Sequence, residues 1–193
     1  MNDFLARTQE GAAALRRAVS DISAQPQLLA SVREEPAVGA GILAGVIAQV
    51  DKARTLTRPS ALGVAALMVN HAAYAWSLYR RGARNDALGW GLRAAAWGAG
   101  VAATRTQPTT AAVAVGGAAV LVTSALAGDP ALRTDAGKGM SHGANLLVAA
   151  EGLTALRAAL KKRKRRARLV RAAEAGALVI GHLLLIDGFR RTR

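Results

Sequence analysis

The sequence predicts an all-α protein: a polytopic helical membrane bundle of about five to six apolar helices, preceded by an amphipathic amino-terminal helix. Three observations carry that expectation. Hydrophobic residues make up 52% of the 193-residue chain despite a net charge of +14, too large an apolar share for a disordered polycation. They fall into six runs, none with the period-two alternation of a half-buried strand. Most of those runs also lack the polar face that a water-facing helix requires.

The elements follow in chain order. Leu15, Val19 and Ile22 share one helical stripe with Arg16, Arg17 and Asp21 off it, so residues 4–22 form an amphipathic helix that Gln25-Pro26 breaks. Ser31 and Glu34 then stand in capping-box spacing and open the next helix. The apolar runs are Ala37–Val50, Ala61–Tyr79, Ala87–Thr104, Thr109–Gly128, Gly143–Leu160 and Leu169–Ile186. Pro59, Pro108 and Pro130 fit first-turn positions, where the missing N–H costs nothing. Asp86, Asp129 and Ser141 fit N-caps. This divides the chain into an interfacial segment over 1–36, a helical bundle over 37–188 with a basic cytoplasmic loop at 161–168, and a basic tail over 189–193.

A span needs about 20 predominantly apolar residues to cross a hydrocarbon core of about 30 Å. Thr109–Gly128 and Ala61–Tyr79 meet that without a charge, whereas Ala37–Val50 is short enough for an interfacial or re-entrant helix. The remaining runs carry Arg93, Glu151 with Arg157, and Arg171 with Glu174. A charge at mid-span costs about 2.5–3.5 kcal/mol, and each large apolar residue returns only about 0.3–0.6. Such alanine-rich runs must therefore insert against neighbours. Gly41 and Gly45, in small-xxx-small spacing, and Gly116 with Gly117 are the candidate helix-packing residues, because small side chains let backbones approach in lipid; Gly98 and Gly100 offer the same opportunity.

Seven of the eight residues from Lys161 to Arg168 are basic: Lys161, Lys162, Arg163, Lys164, Arg165, Arg166 and Arg168. With all six runs crossing, Lys and Arg divide almost evenly between the two sides. Leaving out Ala37–Val50 or Ala87–Thr104 gathers about twice as many on the side that holds both the amino terminus and 161–168, the cytoplasmic side by the positive-inside rule. Five spans are therefore expected, in a multi-pass protein of the cell membrane. The basic residues are candidates for binding anionic lipid, where each gains about 1 kcal/mol near the surface. Nucleic acid is disfavoured as a partner, since no aromatic lies near the run to stack on bases.

Ionisable residues inside a span are costly, and each is a functional candidate. His71 follows Asn70 in the middle of a clean run, and Glu151 lies mid-run in "NLLVAAEGLTAL" with Arg93 or Arg171 as potential partners. In the last run, Arg171 and His182 fall within about 20° of each other on a helical wheel and Glu174 about 60° to one side, a stripe expected to face the bundle interior. Glu151, His182, His71 and Glu174 are thus the catalytic candidates should the chain be an enzyme.

Several chemistries are excluded. The chain has no cysteine, which removes disulfides, thiolate metal sites and a thiol nucleophile. Asp3 and Glu10 and the lack of an unbroken apolar core speak against a secretory signal peptide. No HExxH, P-loop or strand-linked GxGxxG occurs, and three scattered histidines call for neither a metal nor another cofactor. Lys52 with Arg58-Pro59, Ser141-His142-Gly143 and His182 with Asp187 depart at every part from the signature of lipid-phosphate phosphatases. The expectation is a small, non-enzymatic integral membrane protein serving interaction, lipid organisation or small-scale transport. Its partners would be membrane lipids with anionic headgroups and, through its glycines, a second copy or another membrane protein. The alternatives are an intramembrane enzyme acting on a lipid or polyprenyl headgroup, and a soluble helical protein that binds nucleic acid.

Overall fold

The apolar runs become six helices among the described residues, with no strand among them. In the computed structural model these are α1 (Pro36–Thr55), α2 (Ala61–Arg80), α3 (Ala87–Thr104), α4 (Thr110–Ala127), α5 (Met140–Ala159) and α6 (Lys164–Arg191). A single 3₁₀ turn, Pro130–Leu132, stands between α4 and α5. The structure describes residues 34–55, 60–107, 110–160 and 164–192, and Ala13 besides. The amphipathic stripe of residues 4–22, Ser31, Lys161, Lys162, Arg163 and Arg193 lie outside the described residues.

The helix starts obey capping chemistry, with three departures from the expected pattern. Asp86 caps α3, its carboxylate accepting from the Gly89 amide at 2.6 Å. Asp129 caps the 3₁₀ turn rather than a long helix, with Pro130 in its first turn. Ser60, which the pattern did not single out, caps α2 by accepting from Gly63 N at 3.0 Å. Ser141 does not cap α5: the helix starts one residue earlier, behind Gly139 in the left-handed region (φ 111°). Only glycine enters that region without steric cost.

The helices alternate in direction. Arg81 at the end of α2 meets Glu35 before α1 and Thr192 after α6, while Met140 opens α5 against Gly188 near the close of α6. At the other end, Lys52 of α1 reaches Glu151 and Thr154 of α5. The start of α1 and the start of α6 therefore lie at opposite ends of the bundle, not on the single face expected from the charge count. The reason is that both doubtful runs extend along their neighbours: α1 is 20 residues long and pairs with α2, and α3 runs antiparallel to α4. A second correction concerns the basic segment. Lys164–Arg168 are helical, the first turns of α6, rather than loop.

Among the described residues, three helices are long and apolar enough to cross a membrane: α2, α4 and Arg165–Arg191 of α6. The expected five to six shrink to these three because α1, α3 and α5 have the length but not the hydropathy. The core is built from Tyr74 and Leu78 of α2, Val120 and Leu126 of α4, Met140 and Leu147 of α5, and Leu185 and Phe189 of α6. Helices approach closely where side chains are missing. A Cβ on Gly41 would stand 2.8 Å from the Ala73 Cβ, and one on Gly143 2.7 Å from the Gly181 carbonyl oxygen. Such contacts bring α1 against α2 and α5 against α6.

Polar side chains share the interior with this apolar core, and large apolar side chains lie outside. Asn70, His71, Thr123, Ser124, Arg157 and Glu174 are buried. Leu43 of α1, Leu62 of α2, Leu88 of α3, Val115 of α4, Leu156 of α5 and Val179 of α6 are exposed, so every helix shows a large apolar side chain to its surroundings.

Candidate functional site

The polar interior joins the helices in layers. Nearest the start of α6, Lys52 Nζ lies 2.6 Å from Glu151 Oε1 and 3.2 Å from Thr154 Oγ1. Thr154 Oγ1 in turn stands 2.7 Å from Glu174 Oε1, and Arg157 Nε lies 3.0 Å from Glu174 Oε2. Two carboxylates and two cations thus form one neutral cluster across α1, α5 and α6. The Arg157–Glu174 pair is almost wholly enclosed, with side chains 6% and 5% exposed, where an isolated charge could not be tolerated. Alongside lies a recess of about 60 Å3 walled in part by Asp51, Lys52, Gly63, Glu151 and Thr154.

The middle layer is held by hydrogen bonds. His71 Nδ1 lies 3.0 Å from Thr123 Oγ1, tying α2 to α4. Tyr74 OH lies 3.0 Å from His182 Nδ1, tying α2 to α6. The Tyr74 ring also meets both imidazoles edge-on, at centroid distances of 6.1 Å and 5.7 Å. Asn70 Nδ2 donates to the Gly41 carbonyl at 2.7 Å, an approach open because Gly41 and Gly45 present bare backbone to α2. Toward the other side, Arg93 Nε donates to Ser124 Oγ at 3.0 Å, and Ser124 Oγ donates to Asn145 Oδ1 at 2.8 Å, linking α3, α4 and α5.

The layer at the far end closes the bundle. Arg81 bonds Glu35, Ser77, Thr192 and the Phe189 carbonyl, which gathers α1, α2 and α6. Asp129 accepts from the Arg84, Asn85 and Ala131 amides. Burial pushes its carboxyl up, but these amides and the Arg84 charge outweigh that and hold it below the ordinary value of 3.8.

The candidates that fall among the described residues take the following places. Lys52 connects Glu151 to Thr154, which bonds Glu174, and His71 and His182 share Tyr74. Glu151 pairs with Lys52 rather than Arg93 or Arg171, and Glu174 with Arg157. Arg171 is exposed, so the proposed stripe does not hold together: α6 outruns α5, and Arg171 lies near where that overlap ends. Arg165, Arg166 and Arg168 are likewise exposed. Of the glycines, Gly41 and Gly45 face α2, a Cβ on Gly116 would meet Leu67 at 2.8 Å, and one on Gly117 would meet Trp97 at 3.1 Å.

Lys52, Thr154, Arg157, Tyr74 and Thr123 were not anticipated. A signal existed for two of them: Glu151, Thr154 and Arg157 recur every third residue along α5, a spacing that keeps neighbours within reach. Among the described residues no three His, Asp or Glu side chains converge as a metal site would require. No family model, curated protein or solved structure matches this chain, so its role is argued from this geometry.

Proposed function

We propose that the chain is a multi-pass integral membrane protein of non-enzymatic type, a small lipid-organising or interaction component of the cell membrane. One observation carries the reading: large apolar side chains are exposed on all six helices while the interior is held by hydrogen bonds and ion pairs. Water penalises such a surface and hydrocarbon does not. In lipid, polar groups turn inward and small residues let backbones meet. The lengths agree. Helices of 18–20 residues rise about 27–30 Å, close to the thickness of the hydrocarbon core.

The 28-residue α6, about 42 Å long, overshoots that thickness and carries Arg165, Arg166 and Arg168 beyond it. Cations at a helix start oppose its dipole, a cost that anionic headgroups offset. On this reading Lys161–Arg168 lies on the cytoplasmic leaflet with anionic lipids as partners, and the start of α1 opens on the far side. Carbonate-washed membranes should retain the protein, and its isolation as a stable, monodisperse species without detergent would overturn the proposal. In a chain without cysteine, an Arg166→Cys variant should react with a membrane-impermeant thiol reagent only after the cells are opened; labelling of intact cells reverses the topology.

A second reading, an intramembrane enzyme acting on a lipid or polyprenyl headgroup, is favoured by Glu151, which borders both the recess beside Lys52 and a groove between α3 and α5. Glu151→Gln and His182→Ala separate the two. Lower protein abundance supports the structural role; normal abundance with loss of the cellular role supports the enzyme.

A further inference from the structure

One face of the bundle is incomplete. α3 packs mainly on α4, and between α3 and α5 lies a cavity of about 380 Å3 floored by α4. Its walls are mostly apolar or bare: Leu92 and Trp97 from α3, Leu121 from α4, Val148 and Gly152 from α5. From Ser124 to Val113 the floor runs 11 residues, about 16 Å at 1.5 Å per residue, or roughly the depth of one leaflet of a 30 Å core. A cation stands at one end. Arg93 lines the groove, gives Nε to Ser124 Oγ, and sends Nη1 back one turn to the Gly89 carbonyl at 3.0 Å, toward the start of α3.

No carboxylate lies within ion-pair distance of Arg93 among the described residues. Glu35, Asp135, Glu151, Glu174 and Asp187 are in ion pairs of their own, Asp86 caps α3, and Asp51 and Asp129 are held by Ser60 and by backbone amides. These carboxylates serve other partners, so Arg93 offers an anion from outside the protein a guanidinium that has no ion-pair partner among the described residues. Glu151, at the opposite end of the groove, is already neutralised by Lys52.

We propose that this groove holds one anionic phospholipid, with its phosphate on Arg93 and Asn145 beside it, and one acyl chain laid along α4 between α3 and α5. The proposal rests on the membrane reading above and names the partner that reading leaves general. The ligand enters from the leaflet opposite Lys161–Arg168, which makes it separable from lipid gathered by the basic segment. Its headgroup gains charge-assisted hydrogen bonds from the guanidinium, and its chain covers apolar walls that the bundle leaves bare.

The test is native mass spectrometry of protein reconstituted in vesicles of equal parts phosphatidylglycerol and phosphatidylcholine with identical chains, then released in mild detergent. One phosphatidylglycerol should remain bound per chain. Arg93→Gln should weaken its retention about tenfold. Gly152→Leu, whose side chain grows into open space, should block the acyl chain while leaving helicity and melting temperature unchanged; it carries the test alone if Arg93→Gln does not fold. Replacing Arg165, Arg166 and Arg168 with Gln should leave the bound lipid in place. Retention that ignores the groove variants and disappears with the arginine triple variant overturns the proposal. So does a lipid-free dimer that Gly152→Leu breaks, or the absence of any retained lipid. Each of those failures leaves the membrane reading standing, whereas a protein stable without detergent removes both.

Discussion

The α5–α6 hairpin and α3 are both rich in glycine, and Gly143 and Gly181 of the one do the opposite of Gly91, Gly98 and Gly100 of the other. A Cβ on Gly143 would stand 2.7 Å from the Gly181 carbonyl and 3.1 Å from the Leu185 amide, and one on Gly181 would stand 2.9 Å from the Gly143 carbonyl. Those are backbone atoms and cannot step aside, so the two helices touch main chain to main chain. On α3, a Cβ at Gly91, Gly98 or Gly100 would meet nothing within 4 Å. A small residue is therefore permission for close approach and not a cause of it. Where a neighbour also presents a bare backbone and a buried polar pair pins the register, as Arg157–Glu174 does, the permission is used. Where only one neighbour is present, it leaves a groove.

The contrast can be broken most severely at the pair that pins the hairpin. Glu174→Ala leaves Arg157 buried without its partner and should cost about 3–5 kcal/mol, read as a lowered unfolding midpoint in detergent. A null result would mean that glycine contact alone sets the register. Gly143→Leu should cost about 3 kcal/mol by forcing the α5 and α6 backbones apart, with the loss of stability seen in the same measurement. The tie that holds the entrance of α3 to α4 is weaker. Asp129→Asn should cost on the order of 1 kcal/mol at neutral pH, through poorer hydrogen bonds to the Arg84 and Asn85 amides.

That carboxylate also gives the comparison a pH dependence. Its folded pKa is held below the ordinary 3.8, so its contribution is present above that value and is lost as the pH falls through the folded pKa. The wild type should show this acid-side loss in a pH series of melting temperatures, and Asp129→Asn should show a smaller one. The smallest effect belongs to Gly98→Leu on the open face of α3, which should alter stability by no more than about 0.5 kcal/mol. A large loss there would mean that α3 has a closer neighbour than α4.

Much of the fold was legible in the pattern of residues, and much less of the site. Ala87–Thr104 was bounded correctly because Asp86 caps locally and the apolar run ends where polar residues begin. α1 extended five residues past Val50 because Asp51 and Lys52 find Ser60 and Glu151, partners that a reading of that run alone does not reveal. For the same reason α6 begins at Lys164, where alternating charge and apolarity concealed a continuous helix. Glu151, Glu174, His71 and His182 stood out as costly residues in apolar runs. Their partners did not, since Lys52 lies 99 residues from Glu151 and Tyr74 lies 108 from His182.

By itself the sequence determined what is local: an all-helical chain, the caps at Asp86 and Asp129, and ionisable groups that an apolar interior must neutralise. Periodicity and capping act within a few residues, so they can be read along the chain. Only the tertiary structure decided which cation meets which carboxylate, which glycines touch a backbone and which face a groove, and that the starts of α1 and α6 stand at opposite ends. Those outcomes depend on helix order and rotation about each axis, where a shift of one residue turns a side chain by about 100° and exchanges one neighbour for another.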